Sequence, residues 1–361
     1  MRRPITIISI VFVSALFHTL YAQTVSSDVR LVQDDIPARF WWWSTKAELP
    51  LSPTFSLELR QLSLFARQEE FNGLARLEKR LHTVQAGTRI ALPKFGLGIH
   101  LLGGVNTGHG NPTLGEFRGH LQWTQNVGSL AQPLLRIRID LESVRQRETS
   151  VLTAVEEQIL FSESTSQLGV EVLDRISVVG YYGRRFYSDA NNKTSAYGYM
   201  LAQVVKDPDV RLGYAYAYTN SLSDNWQLVN TKLVSFDPVR RIFLYEYSYF
   251  YYPYFTPIKE QGHILIGVVQ WSPVDRVLLY AKASIPVSSK GLLKYMPNSG
   301  NVPRPIDYNV YYTTTDILPT QIDASLLVTV SRAVLVRLDF EHFQKPYYKY
   351  HVLGLGASYI F

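Results

Sequence analysis

Segments that alternate between apolar and polar side chains recur along most of this chain. In Leu134–Ser143, Leu135, Ile137, Ile139 and Leu141 hold one parity, and Arg136, Arg138, Asp140 and Glu142 hold the other. Val334–Phe343 sets Val334, Val336, Leu338 and Phe340 against Arg337, Asp339 and Glu341. Gln321–Ser331 sets Ile322, Ala324, Leu326 and Val328 against Asp323, Ser325 and Thr329; Arg276–Ile285 sets Val277, Leu279, Ala281 and Ala283 against Arg276, Tyr280 and Lys282. Successive side chains of a strand point to opposite faces, so each segment reads as a strand with one apolar and one polar face. A soluble sandwich alternates in the same way. Length separates the two readings, because strands of about ten residues or more are what a tilted bilayer crossing needs. Aromatic clusters near strand ends, Tyr181–Tyr187, Tyr249–Phe255 and Tyr347–Tyr350, fit interfacial girdles. The expected fold is all-β: a transmembrane antiparallel β-barrel of about sixteen strands, with fourteen to eighteen also compatible.

The first residues carry a different pattern. Arg2 and Arg3 precede a mostly apolar run from Ile5 to Phe17, and Leu20-Tyr21-Ala22 offers a cleavage site. The run is shorter than the roughly 20 residues a membrane-spanning helix requires, so residues 1–22 read as a cleaved signal peptide. Cysteine is absent, which removes disulfides, thiolate metal sites, cysteine nucleophiles and lipid attachment through cysteine. The formal net charge of +6 is small and dispersed, which argues against a nucleic-acid partner. Residues 23–52, with Asp34-Asp35 and Pro37, read as a periplasmic segment in which Phe40-Trp41-Trp42-Trp43 forms an interfacial anchor and Phe40–Leu49 is a strand outside the count of sixteen. The barrel is expected to span 53–361.

Strand parity then assigns the connections. Leu92–Phe95, Asn126–Gln132, Asp207–Asp209, Phe236–Arg241, Ser272–Asp275 and Val330–Ala333 read as short periplasmic turns. Asn106–Leu114, Val144–Ser166, Ser188–Lys193, Asn220–Asn225, Pro253–Gln261 and Pro286–Leu318 read as outer loops, the last being the candidate plug. The apolar parity of Leu74–Leu92 switches midway, which suggests a β-bulge or two short strands.

Charged side chains at alternating positions belong inside, because Arg or Lys facing lipid at the midplane costs about 2–4 kcal/mol. The candidate lumen-lining residues are Arg136, Arg138, Asp140, Glu142, Glu246, Arg276, Lys282, Asp323, Arg337, Asp339 and Glu341. Acid and base stand two apart on the same strands, so wall-stiffening ion pairs compete with a solute-selecting constriction as the reading. Tyr214, Tyr216 and Tyr218, and the row Tyr245–Tyr251, read as lipid-facing rather than as a sugar slide. The eight histidines form neither HExxH nor another metal-ligand spacing, and GxSxG is absent. No catalytic residue, metal site or cofactor is expected, and the chain does not read as an enzyme.

Gly180-Tyr-Tyr-Gly-Arg-Arg-Phe-Tyr-Ser-Asp-Ala-Asn191, Pro208-Asp-Val-Arg-Leu-Gly-Tyr-Ala-Tyr216 and Tyr251-Tyr-Pro-Tyr-Phe-Thr-Pro257 resemble the C-terminal barrels of exopolysaccharide-export and YaiO-like outer-membrane proteins. The family-like loop centres on Tyr187, Ser188, Asp189 and Asn191. The resemblance implies a sixteen-stranded barrel exporting polysaccharide. The tetratricopeptide helices that precede such barrels are not expected here, which implies a separate periplasmic helical-repeat partner if export is the function. The closing segment Leu353–Phe361, with Leu353, Leu355, Ala357, Tyr359 and Phe361 on one parity, resembles the strand that the barrel-assembly machinery reads. Outer-membrane lipid and lipopolysaccharide are the remaining expected partners, and the bacterial outer membrane the expected location. The expected function is passage of a polar polymer or solute. A porin, or a non-conducting structural or adhesive barrel, are the alternatives.

Overall fold

The computed structural model describes residues 24–34, 38–69, 76–108, 111–128, 133–149, 158–188, 192–222, 228–237, 242–249, 259–294, 311–315, 318–345 and 348–360. Its strands are β1 (Thr24–Asp34), β2 (Ala38–Ser52), β3 (Phe55–Gln68), β4 (Leu77–Leu92), β5 (Leu97–Gly108), β6 (Asn111–Gly128), β7 (Pro133–Arg147), β8 (Leu160–Val172), β9 (Ile176–Tyr187) and β10 (Asn192–Val205). They continue as β11 (Asp209–Leu222), β12 (Leu228–Asp237), β13 (Ile242–Tyr249), β14 (Lys259–Val274), β15 (Val277–Lys294), β16 (Tyr311–Thr315), β17 (Thr320–Thr329), β18 (Val334–Lys345) and β19 (Tyr348–Ile360).

Each wall strand pairs antiparallel with its neighbours, and β1 pairs with both β2 and β19, so the sheet closes. β16 and β17 pair with different halves of β15, Lys290–Lys294 and Val277–Ser284, and share one place in the wall. The result is a closed barrel of sixteen strands. Its register keeps one face apolar around the seam: Trp43, Val29, Leu355, Leu338, Leu326, Leu279 and Trp271 are successive cross-strand partners. The other face carries the charges. On β3, Leu57 and Leu59 are 39% and 38% exposed, while the Glu58 side chain between them is wholly buried. The apolar face is therefore the convex outside and the charged face lines the lumen.

At the end bearing β1's start and β19's finish, connections are two to four residues long. The turn after β4 shows why one of them holds glycine: Gly96 sits at φ +62, and a Cβ there would lie 1.9 Å from the Thr124 carbonyl oxygen. The strand ends flanking the two longest intervals between wall strands, Leu222 and Lys259, and Lys294 and Tyr311, are at the opposite, far end.

Five expectations change. Residues 24–34 and 38–52 are wall strands, not a periplasmic segment; Val25, Val29 and Leu31 face outward on β1, a signal diluted by the serines between them. Two strands expected in the wall, β12 and β13, instead pair only with each other. Phe236–Arg241 therefore joins the two strands of this hairpin. The total of sixteen survives because these two pairs trade places; local alternation shows that a segment is a strand but not which strand it pairs with. Val144–Ser166 contains the end of β7 and the start of β8. Much of Pro286–Leu318 is β15 and β16, while 295–310 and 316–317 lie outside the described residues. Finally, β4 carries no bulge in its register with β3 or β5. Its parity switches because Leu77 and Leu81 point into an apolar cluster inside the barrel.

Candidate functional site in the lumen

One side of the lumen, from β2 to β9, is laced with ion pairs. Glu58 is its most buried acid: Lys46 Nζ lies 3.1 Å and His100 Nε2 3.1 Å from Oε2, and Arg60 Nε lies 3.8 Å from Oε1. On β7, Arg138 Nε donates to Asp140 at 2.6 Å, and His120 Nε2 stands 3.2 Å from the same carboxylate. Glu142 accepts from Arg118 on β6. Towards the terminal end, Arg136 Nη1 donates to Glu171 at 2.7 Å, and Glu171 also meets Arg211 at 3.5 Å. Across the closing seam, Arg337 reaches Asp28 at 2.8 Å and Asp339 at 2.8 Å.

These contacts place most of the sequence-derived lumen residues. Arg136, Arg138, Asp140, Glu142, Arg337 and Asp339 face inward and are paired, so the wall-stiffening reading fits them. Lys282 and Asp323 are inward cross-strand partners, and Asp323 also accepts from Gln321 at 3.1 Å. Glu341 accepts from the Tyr350 hydroxyl at 2.7 Å. Two residues are misplaced. Arg276 lies in the turn between β14 and β15 rather than on the wall, and Glu246 lies on β13, outside the barrel sheet. In the family-like loop, Tyr187 points inward and is buried, and the Ser188 hydroxyl accepts from the Leu160 amide at 3.0 Å. Asp189 and Asn191 lie outside the described residues.

The middle of β11 and β14 is built differently. Ala215, Ala217 and Gly213 on β11, and Ile264 and Ile266 on β14, hold the inward parity. Tyrosines stand beside this smooth stretch. Tyr181 and Tyr197 stack at 4.4 Å and 10°, and Tyr199 follows Tyr197 at 6.3 Å. Tyr280 holds the same inward parity on β15. The lumen therefore has an aromatic row, on other residues than the rows singled out from sequence. Tyr214 and Tyr216 are exposed on the lipid side, as expected, whereas Tyr245, Tyr247 and Tyr249 belong to the β12–β13 hairpin. Tyr181 escaped notice because it lies within an aromatic cluster assigned wholly to a girdle; only Tyr182 and Phe186 of that cluster are exposed on the outer face.

Near the far end the inner wall turns apolar. Phe40, Leu64, Ala66 and Leu81 form a buried cluster, with Val32, Trp42 and Leu77 packed against it. The Phe40–Trp43 anchor is thus divided. Trp41 faces out and Trp43 donates to Ser27 Oγ at 2.9 Å, while Phe40 and Trp42 face in. Beside this cluster Arg147 turns into the lumen, because β7 loses its pairing with β6 beyond Arg145. Arg147 is 1% exposed. The sequence reading placed it in an outer loop.

No protein-family model matches the sequence, and no curated protein matches it. Among solved structures, a bacterial polysaccharide outer membrane secretin is similar with a TM-score of 0.61 at 11% identity, covering 94% of this chain and 99% of that one. CdiB from Acinetobacter baumannii is similar at a TM-score of 0.42 and 9% identity, over 93% of this chain and 60% of that one. Salmonella typhi OmpF in complex with daunomycin gives 0.39 and 12%, over 93% and 96%. The last two are too distant to bear on function. The first shows that almost the whole chain has the fold of an outer-membrane β-barrel.

Proposed function

We propose that this chain is an outer-membrane barrel, exported by a signal peptide cleaved after Ala22, whose lumen passes a polar polymer, and that the polymer is a polysaccharide. The observation that carries the reading is the division of the lumen: besides a braced, ion-paired side there is a stretch of small and aliphatic residues on β11 and β14 flanked by tyrosines. A sugar ring offers hydroxyls to paired charges and C–H faces to aromatic rings, and a smooth wall lets successive rings move on. The similar secretin supports this reading through its shared fold, and so do the export-barrel motifs. In the same reading the outer face meets lipid and lipopolysaccharide, β19 addresses the barrel-assembly machinery, and a periplasmic helical-repeat protein delivers the polymer.

Single-channel recording of the refolded protein in planar bilayers tests this. The expected result is a conductance that neutral oligosaccharides block, with longer chains blocking for longer. Conductance that oligosaccharides leave unchanged would replace the polymer reading with a small-solute pore. Silence from protein shown to be folded by its heat-modifiable gel mobility would leave a non-conducting barrel.

A further inference from the structure

A polar island interrupts the lipid face of β1 to β3. On β3 the outward positions run Leu57, Leu59, Gln61, Ser63 and Phe65, so Gln61 has apolar neighbours towards both strand ends. It lies midway between Phe55 and Arg67, the outward residues at the two ends. An outer-membrane barrel carries an apolar band about 25 Å tall, and Gln61 stands near its middle. The register sets Gln61 beside Thr45 on β2, and Thr45 beside Ser27 on β1. These two are enclosed in the same way, Thr45 between Ala47 and Trp43, and Ser27 between Val25 and Val29. Ser27 Oγ accepts from Trp43 Nε1 at 2.9 Å. The Gln61 carboxamide makes no hydrogen bond among the described residues.

A primary amide carries two donor hydrogens and an acceptor oxygen. Hydrocarbon offers partners to neither, and water does not reach the middle of the band, so an unpaired amide there is costly. An acyl chain cannot relieve that cost. A periplasmic or extracellular protein does not reach this depth, so the missing partner is itself embedded in the membrane. The island also indicates which protein. Amides and hydroxyls both donate and accept, and Ser27, Thr45 and Gln61 carry no charge. Such a surface is complementary to its own copy turned about a two-fold axis, whereas a charged one would repel it. Ala47 and Ala357, the outward neighbours of Val25 and Ser27 on the adjoining strands, keep the relief beside it low.

We propose that the outer faces of β1 to β3 form the contact of a two-fold homodimer within the membrane, centred on Gln61 and its copy, whose carboxamides exchange hydrogen bonds. This requires only that the wall spans the outer membrane, and it is independent of what the lumen carries.

Two measurements on the refolded full chain test it: sedimentation equilibrium in density-matched detergent micelles, and oxidative cross-linking of single-cysteine variants in lipid vesicles. A dimer is expected. Gln61→Leu suits lipid and should remain folded by its heat-modifiable gel mobility. It should raise the dimer dissociation constant about tenfold, the scale of two reciprocal hydrogen bonds. Gln61→Cys should form a covalent dimer under a mild oxidant. Leu265→Cys, outward on β14 across the barrel, should stay single. Where micelles separate the copies, cross-linking of Gln61→Cys alone in vesicles still supports the dimer. A monomer in micelles whose Gln61→Cys does not cross-link in vesicles would overturn the proposal and assign the island to a different embedded protein. A dimer that Gln61→Leu leaves unchanged, or cross-linking as strong at Leu265→Cys, would overturn the contact at this face.

Discussion

The two sides of the lumen share a backbone geometry and differ in what their inward side chains do for one another. From β2 to β9, inward positions are occupied by acids and bases that reach across strands, as in Lys46–Glu58–His100 and Arg118–Glu142. From β10 to β15 the corresponding positions on β11 and β14 include Gly213, Ala215, Ala217, Ile264 and Ile266, which need no partner. One side is held by polar contacts and keeps its shape. The other offers low relief and stacked tyrosines. Inward charge on the first side reaches across strands and braces the wall, while the middle of β11 and β14 offers small and aliphatic side chains, the surface along which the proposed polymer would move.

The sharpest way to break the comparison is to remove the hub of the braced side. Glu58→Leu leaves Lys46 and His100 without their buried carboxylate, and should cost about 3 kcal/mol of stability. Equilibrium unfolding in detergent micelles reads this directly. Ala217→Leu on the smooth side projects into the lumen rather than into packed side chains, so it should alter stability by only about 0.5 kcal/mol while reducing conductance by filling the lumen. If the two substitutions cost the same stability, the division into a brace and a slide fails.

A smaller effect sharpens the smooth side. Tyr197→Ala removes the ring stacked on Tyr181 and should shorten oligosaccharide block about fivefold, the equivalent of about 1 kcal/mol of aromatic contact. Tyr216→Ala, on the lipid side, should leave block unchanged. The smallest effect is expected at the seam. Arg337 is 39% exposed, so Arg337→Met should cost less than about 1 kcal/mol despite the loss of two short contacts. Raised salt should narrow that difference in the unfolding midpoint.

Much of this division was legible in the sequence. Arg136 to Glu142 announced the braced side because a charge facing lipid is costly, and the cost makes parity a reliable guide to the inward face. The length and alternation of β7, β17 and β18 were enough to give a transmembrane barrel. Three features were not legible, for a common reason. The Leu77–Leu81 parity switch looked like a bulge because an apolar residue was assumed to face outward, whereas it joins Phe40 and Leu64 inside. Arg147 looked like loop because only the three-dimensional release of β7 from β6 turns it inward. The β12–β13 hairpin looked like wall because its strands alternate as wall strands do. Each depends on what a segment packs against, which period-two alternation does not encode.

The inward and outward faces of β11 give the most direct test of the central claim. The chain has no cysteine, so single thiols can be introduced without background. Ala217→Cys and Tyr216→Cys are adjacent in sequence and assigned to opposite faces. A membrane-impermeant, water-soluble thiol reagent added during single-channel recording should react with Ala217→Cys and step the current down, and leave Tyr216→Cys unchanged. Reaction at Tyr216→Cys alone, or equal reaction at both with no change in current, would contradict a water-filled passage lined by this face.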